Sequence, residues 1–88
     1  MTYTVIVPKK VRKQLSSLPD KIYARLKTQI AHLADDPRPK GALKLKGLDN
    51  SYRIRIGDYR LCYEVKDKEL IITLLRCMHR KEVYKDKK

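Results

Sequence analysis

Arg53, Arg55 and Arg60 stand in a segment where every second residue is apolar or aromatic. Tyr52, Ile54 and Ile56 alternate with Arg53 and Arg55. After Gly57-Asp58 the alternation resumes, with Tyr59, Leu61, Tyr63 and Val65 set against Arg60, Cys62 and Glu64. Successive side chains of a strand point to opposite faces, so Arg53 and Arg55 share a face and stand ~6–7 Å apart along it. Gly-Asp is a tight-turn signal, and a tight turn sets Arg60 beside Arg55 on the neighbouring strand. Guanidiniums gathered in this way repel one another unless an anion lies between them. Each offers a planar fork that matches two oxygens of a phosphate. The chemistry implied is phosphate clamping. The plainer alternative is pairing with Asp58, Glu64 and Glu69 in surface ion pairs, which contribute little.

The C-terminal stretch adds His79, Arg80 and Tyr84. Histidine is the side chain best suited to act as an acid or a base under physiological conditions, which makes His79 a candidate for that role. Arg80 can clamp a phosphate, and Tyr84 can stack on a base or orient a reacting group. A solvated basic tail is the competing reading. Lys44, Lys46, Arg76 and Lys81 are further cations placed to bind RNA beside these groups. The chain has 3 glycines and no Gly-rich phosphate loop, so no nucleotide cofactor is expected. No carboxylate or histidine cluster suits a metal. Cys62 and Cys77, with His32 far from them in sequence, read as reduced strand residues and not as a zinc site or a disulfide framework. RNA cleavage by such a set of residues would proceed without metal. The 2′-hydroxyl attacks its own phosphate, and basic side chains stabilise the charge that develops.

Charge supports a polyanionic partner. Lys and Arg total 22 against 10 acidic residues in 88, a formal net charge of +12. Nucleic acid, an acidic membrane surface and an acidic protein are all attracted by such a surplus. Solubility through charge is the functionally neutral account. No run approaches the ~18 apolar residues of a membrane span, and the first residues carry no signal-peptide pattern. A cytoplasmic location and no membrane partner are therefore expected.

The elements that must position these groups follow from local pattern. Residues 2–7, TYTVIV, are β-branched and aromatic and predict a strand that Pro8 ends. Val11, Leu15 and Leu18 predict one short helix. Ile22, Leu26, Ile30 and Leu33 predict a longer one, stopped by Asp36-Pro37. The short link between them implies an αα-hairpin. From Gly41 the period becomes two: Leu43 and Leu45, then 51–56, then 59–65. Glu69 to Leu75 is a nearly unbroken apolar run of the kind covered on both faces. The class expected is α+β in two layers. An N-terminal strand and a helical hairpin pack on an antiparallel β-sheet, with a short C-terminal segment, all in one domain spanning 1–88.

Three stretches carry a resemblance. Leu45-Lys46-Gly47-Leu48, the block Tyr52-Arg53-Ile54-Arg55-Ile56-Gly57-Asp58-Tyr59-Arg60-Leu61, and His79-Arg80-Lys81-Glu82-Val83-Tyr84 resemble the RelE/ParE superfamily of bacterial and archaeal toxins. The helical hairpin fits in position and length. The resemblance implies a microbial RNase-like fold and a ribosome-dependent mRNA endonuclease. Such a toxin enters the 30S A site, cuts the codon there and leaves a 2′,3′-cyclic phosphate and a 5′-hydroxyl. It also implies a RelB-like antitoxin that neutralises the toxin and brings the pair to operator DNA. By position, Arg53, Arg55, Arg60, Arg80 and Tyr84 match the family's active-site residues. The family often carries lysine where this chain has Arg53 and Arg55. Arginine stays charged, so Arg55 reads as an electrostatic stabiliser. His79 then becomes the leading candidate for proton transfer, with Tyr84 as its competitor. Two other readings stay open: a gyrase-poisoning toxin of the ParE branch, and an RNA-binding module without catalysis.

Overall fold

The structure, a computed structural model, describes residues 2–79. Strand β1 (Thr4–Ile6) ends where Pro8 removes a backbone donor, and Pro8 then caps helix α1 (Lys9–Ser16). Val11 and Leu15 lie one turn apart and are buried. Pro19 caps helix α2 (Asp20–Asp35) in the same way. Asp20 in its first turn complements the positive end of the helix. Leu26 and Leu33 on α2 are fully buried, and a buried leucine contributes ~1.5–3 kcal/mol. Asp36 turns extended because Pro37 follows it. None of the helices among the described residues is long and apolar enough to cross a membrane.

Four more strands follow: β2 (Leu43–Lys44), β3 (Ser51–Ile56), β4 (Tyr59–Lys66) and β5 (Ile71–His79). The sheet order is β1-β5-β4-β3-β2. Strands β2 to β5 form an antiparallel meander, as the period-two pattern predicts. β1 pairs with β5 in parallel, Thr4 opposite Ile71, so the five-stranded sheet is mixed. A parallel neighbour needs a long crossover, and the residues between β1 and β5, including both helices, supply it. The two-layer α+β architecture stands, with the N-terminal strand inside the sheet as its parallel edge.

The core is one layer between the helices and one face of the sheet. Ile54, Ile56, Leu61, Tyr63, Val65, Ile72, Leu74 and Cys77 meet Val11, Leu15, Leu26 and Leu33. This corrects the reading of residues 69–75. Glu69 and Leu70 lie before the strand, in a turn where Leu70 takes a φ of 55°. β5 is central but buries only alternate residues, and Leu75 and Arg76 are exposed. A bulge explains the broken phase. Tyr63 pairs with Leu74 but Cys62 pairs with Arg76, leaving Leu75 as the extra residue. Just beyond it, the backbone N–H of Cys77 donates to Oε1 of Gln14 on α1 at 2.9 Å, tying helix to strand.

At the opposite end of the sheet, Arg38 clamps the loop after α2. Its Nη2 and Nη1 donate to the two oxygens of Asp67 at 2.6 and 3.1 Å, and its Nε donates to the Tyr52 hydroxyl at 2.9 Å. The Tyr3 hydroxyl donates to Asp67 at 2.7 Å. Buried Tyr63 donates to the carbonyl of Pro37 at 2.8 Å, and burial pushes its phenol up to about 12. The Asp67 carboxyl is held below its usual range, first by Arg38 and then by Tyr3. A depressed folded-state pKa stabilises the fold above the ordinary carboxylate pKa, and that contribution disappears as pH falls through the folded value. Thermal melts of wild type and Asp67→Asn should therefore differ at neutral pH and converge as pH falls through and below the ordinary carboxylate range. A gap that stays constant with pH would show that the clamp does not depend on the carboxylate charge.

Candidate nucleic-acid interface

The hairpin β3–β4 turns at Gly57-Asp58. Gly57 takes a φ of +59°, a left-handed conformation that costs glycine little. This short turn sets the register: Arg55 lies opposite Arg60, Arg53 opposite Cys62, and Ile54 opposite Leu61. With the isoleucines and Leu61 committed to the helices, the arginines must take the other face. β5 brings Arg76 opposite Cys62 and Met78 opposite Arg60 on that same face. Arg76 also points Nη1 at the Met78 sulfur, 3.5 Å away.

Gly41, Leu43, Arg53, Arg55 and Arg60 line a cavity of about 120 Å³. That is well below the ~300–1,000 Å³ of pockets for drug-sized molecules, and it suits a small anionic group. Arg53 and Arg60 are half-buried and Arg55 is exposed. Among the described residues none of these three has a carboxylate within salt-bridge distance; the salt bridge that does form joins Arg38 to Asp67. The ion pairs with Asp58, Glu64 or Glu69 considered from sequence are absent there. Cys62 sits among the cations. Burial pushes its thiol up, while Arg76, Arg53 and Arg60, in that order, pull it down. All three guanidiniums are thus close enough to act on one atom. Such a set can grip a phosphate through several charge-assisted hydrogen bonds and can stabilise extra negative charge on it.

The structure does not bring every sequence candidate to this face. His79 lies opposite Tyr59 and packs edge-on against its ring, with centroids 5.0 Å apart and planes at 88°. That is the side of Ile56 and Leu61, not of the arginines. The physical reason is strand phase: β5 runs through His79, and residues 76 and 79 fall on opposite faces. Lys44 pairs with Tyr52 on the edge strand and Lys46 lies in the turn beyond it, so neither lines the arginine cavity. Arg76, expected only as a flanking RNA contact, belongs to the face itself. Arg80, Lys81 and Tyr84 lie outside the described residues. Cys62 joins this face as its alternation with Leu61 and Tyr63 predicts. One neighbour, Arg25 on α2, went unnoticed in sequence. Its Nη1 lies 3.5 Å from where a Cβ on Gly57 would sit, and it lines a second cavity with Arg55.

Comparison with known proteins agrees with this architecture. Residues 5–84 match the family model described as ParE toxin of type II toxin-antitoxin system, parDE. The toxin RelG of Mycobacterium tuberculosis is 30% identical over 86 residues, covering 97% of this chain and 99% of its own length. The mRNA interferase toxin RelE of Escherichia coli is 27% identical over 90 residues, covering 98% of this chain and 94% of its own. Among solved structures, the archaeal RelE–RelB complex from Pyrococcus horikoshii OT3 superposes with a TM-score of 0.81 at 38% identity, covering 91% of this chain and 97% of that one. A family model that matches nearly the whole chain, and relatives alike in both length and fold, show that this chain belongs to the RelE/ParE superfamily of toxins of type II toxin–antitoxin systems.

Proposed function

We propose that this toxin is an mRNA endonuclease that works in the ribosomal A site and so inhibits translation. The observation that carries the reading is the cavity where Arg53, Arg55 and Arg60 converge without a described counter-charge. The printed name of the Escherichia coli relative, an mRNA interferase toxin, supports it. In the reaction the 2′-hydroxyl of the substrate attacks the adjacent phosphorus as its proton leaves. The bond from phosphorus to the 5′-oxygen breaks, giving a 2′,3′-cyclic phosphate and, once the leaving oxygen is protonated, a 5′-hydroxyl. The arginines hold the non-bridging oxygens and stabilise the added charge of the transition state. They do not move protons, since guanidinium stays ionised. With His79 packed on the Tyr59 side, Tyr84 is the better candidate for proton transfer, and Arg80 joins the clamp on the strength of the resemblance.

The rest of the proposal concerns partners. The whole chain, 1–88, acts as one domain in the cytoplasm. A RelB-like antitoxin neutralises it, and charge complementarity to +12 favours an acidic segment in that partner. The pair reaches operator DNA through the antitoxin. The same net charge draws the toxin to ribosomal RNA. A second reading, poisoning of DNA gyrase, is kept because the matching family model is described by its ParE member.

Primer extension on translated mRNA separates the two. Cuts at codon positions are expected; intact mRNA with DNA breaks would instead support the gyrase reading. Arg60→Ala should slow single-turnover cleavage by ~10²-fold or more, the scale of losing one preorganised donor, and a wild-type rate removes Arg60 from the site. His79→Ala should keep the wild-type pH–rate profile, whereas loss of one limb of that profile would return His79 to the mechanism as a proton carrier.

A further inference from the structure

Two cavities meet at Arg55. The first is that of the arginine face. The second, of about 230 Å³, is lined by Arg25, Thr28, Gln29, Arg55 and Ile56, between α2 and the end of β3. Arg55 can border both because β2 is short. It pairs with β3 only at Tyr52 and Arg53, which leaves Arg55 and Ile56 on an open edge of the sheet.

The second cavity has its own binding chemistry. Arg25 is exposed and has no described carboxylate within salt-bridge distance. Its guanidinium is seated against the β3–β4 turn, with Nη1 3.5 Å from where a Cβ on Gly57 would lie. Gln29 stands four residues on, one helical turn along the same flank of α2, and its amide can donate to a phosphate oxygen or a base edge. The Thr28 hydroxyl already donates to the carbonyl of Ala24 at 3.1 Å, which leaves it as an acceptor. Like charges lining one cavity cost free energy unless an anion lies between them. A line of cations running from Arg53 through Arg55 to Arg25 suits a chain of regularly spaced charges better than a single small anion.

We infer that an RNA strand held at the arginine face continues around the open edge of β3, and that Arg25, with Gln29 beside it, binds its next phosphodiester. This rests on the reading of the arginine face as an RNA site. It assigns α2 a part in gripping the strand that flanks the reacting phosphate.

The test uses 2′-O-methyl RNA, which lacks the attacking hydroxyl and so reports binding alone. On a strand of roughly ten nucleotides, Arg25→Gln should weaken binding and reduce the slope of log affinity against log salt by ~0.7, the value for one phosphate on a single strand. On a dinucleotide, followed by chemical-shift titration, Arg25→Gln should match wild type. Lys27→Gln makes the same charge change on the α1–α2 side of the helix and should leave both affinities and slopes unchanged. Circular dichroism checks that each variant is folded. Equal binding of the longer strand by Arg25→Gln and wild type overturns the inference while leaving the arginine face intact. Equal losses on both lengths, or an equal loss from Lys27→Gln, also overturn it, because Arg25 then acts on the same phosphate or only through net charge. Wild-type protein with no salt-dependent affinity for either RNA also overturns the inference, and the reading of the arginine face is then decided by primer extension on translated mRNA.

Discussion

The two-residue turn at Gly57-Asp58 sets the register on which the rest of the molecule depends. A strand presents its side chains with a period of two, so a slip of one residue would exchange the faces of β3. Ile54 and Ile56 would go to solvent, and Arg53 and Arg55 would be driven against the helices, where an unpaired charge costs several kcal/mol or more. Apolar burial and charge exclusion therefore select the same register. The face that results is a by-product of the core: once Leu61, Ile54 and Ile56 meet α1 and α2, the arginines can only gather on the other side.

That gathering is stable because it stays in contact with water. The contrast with Arg38 is instructive. Arg38 donates three hydrogen bonds to Asp67 and Tyr52 and lies 5.2 Å from the centre of the Tyr52 ring, a geometry that closes a loop. Arg53, Arg55 and Arg60 have no comparable partner among the described residues, so their hydrogen-bonding capacity is available to a ligand. A site built this way gives up some stability through self-repulsion and gains affinity for a polyanion at low salt. The same logic extends around the edge of β3 to Arg25, which the short β2 leaves accessible.

The bulge in β5 has consequences on both faces. It lets Arg76 join the arginine face opposite Cys62 and returns Cys77 to the core opposite Leu61. Beyond it the regular phase sends His79 to Tyr59. A histidine two strands away from Arg55, and on the other face, has a structural explanation as an edge-on partner of a tyrosine. The proton-transfer role assigned to it from sequence loses its geometric support for that reason.

Much of this was legible in the sequence where the signal is local. Alternation locates β3 and β4, helical spacing locates α1 and α2, and Gly57-Asp58 with its flanking pattern puts Arg53, Arg55 and Arg60 together from the sequence alone. These features depend on neighbours within a few residues, and backbone geometry turns such patterns directly into faces. Other features required the folded chain. The parallel pairing of β1 with β5 joins segments separated by two helices, and nothing in residues 4–6 states a direction. The extra residue Leu75 is defined only against the partner strand. Arg25 meets Gly57 because α2 packs across β3, a contact between residues far apart in sequence. The sequence by itself determined which residues share a strand face and that the face is cationic. The tertiary structure decided which other elements reach that face, because packing of distant apolar surfaces, and not local periodicity, sets the distance between them.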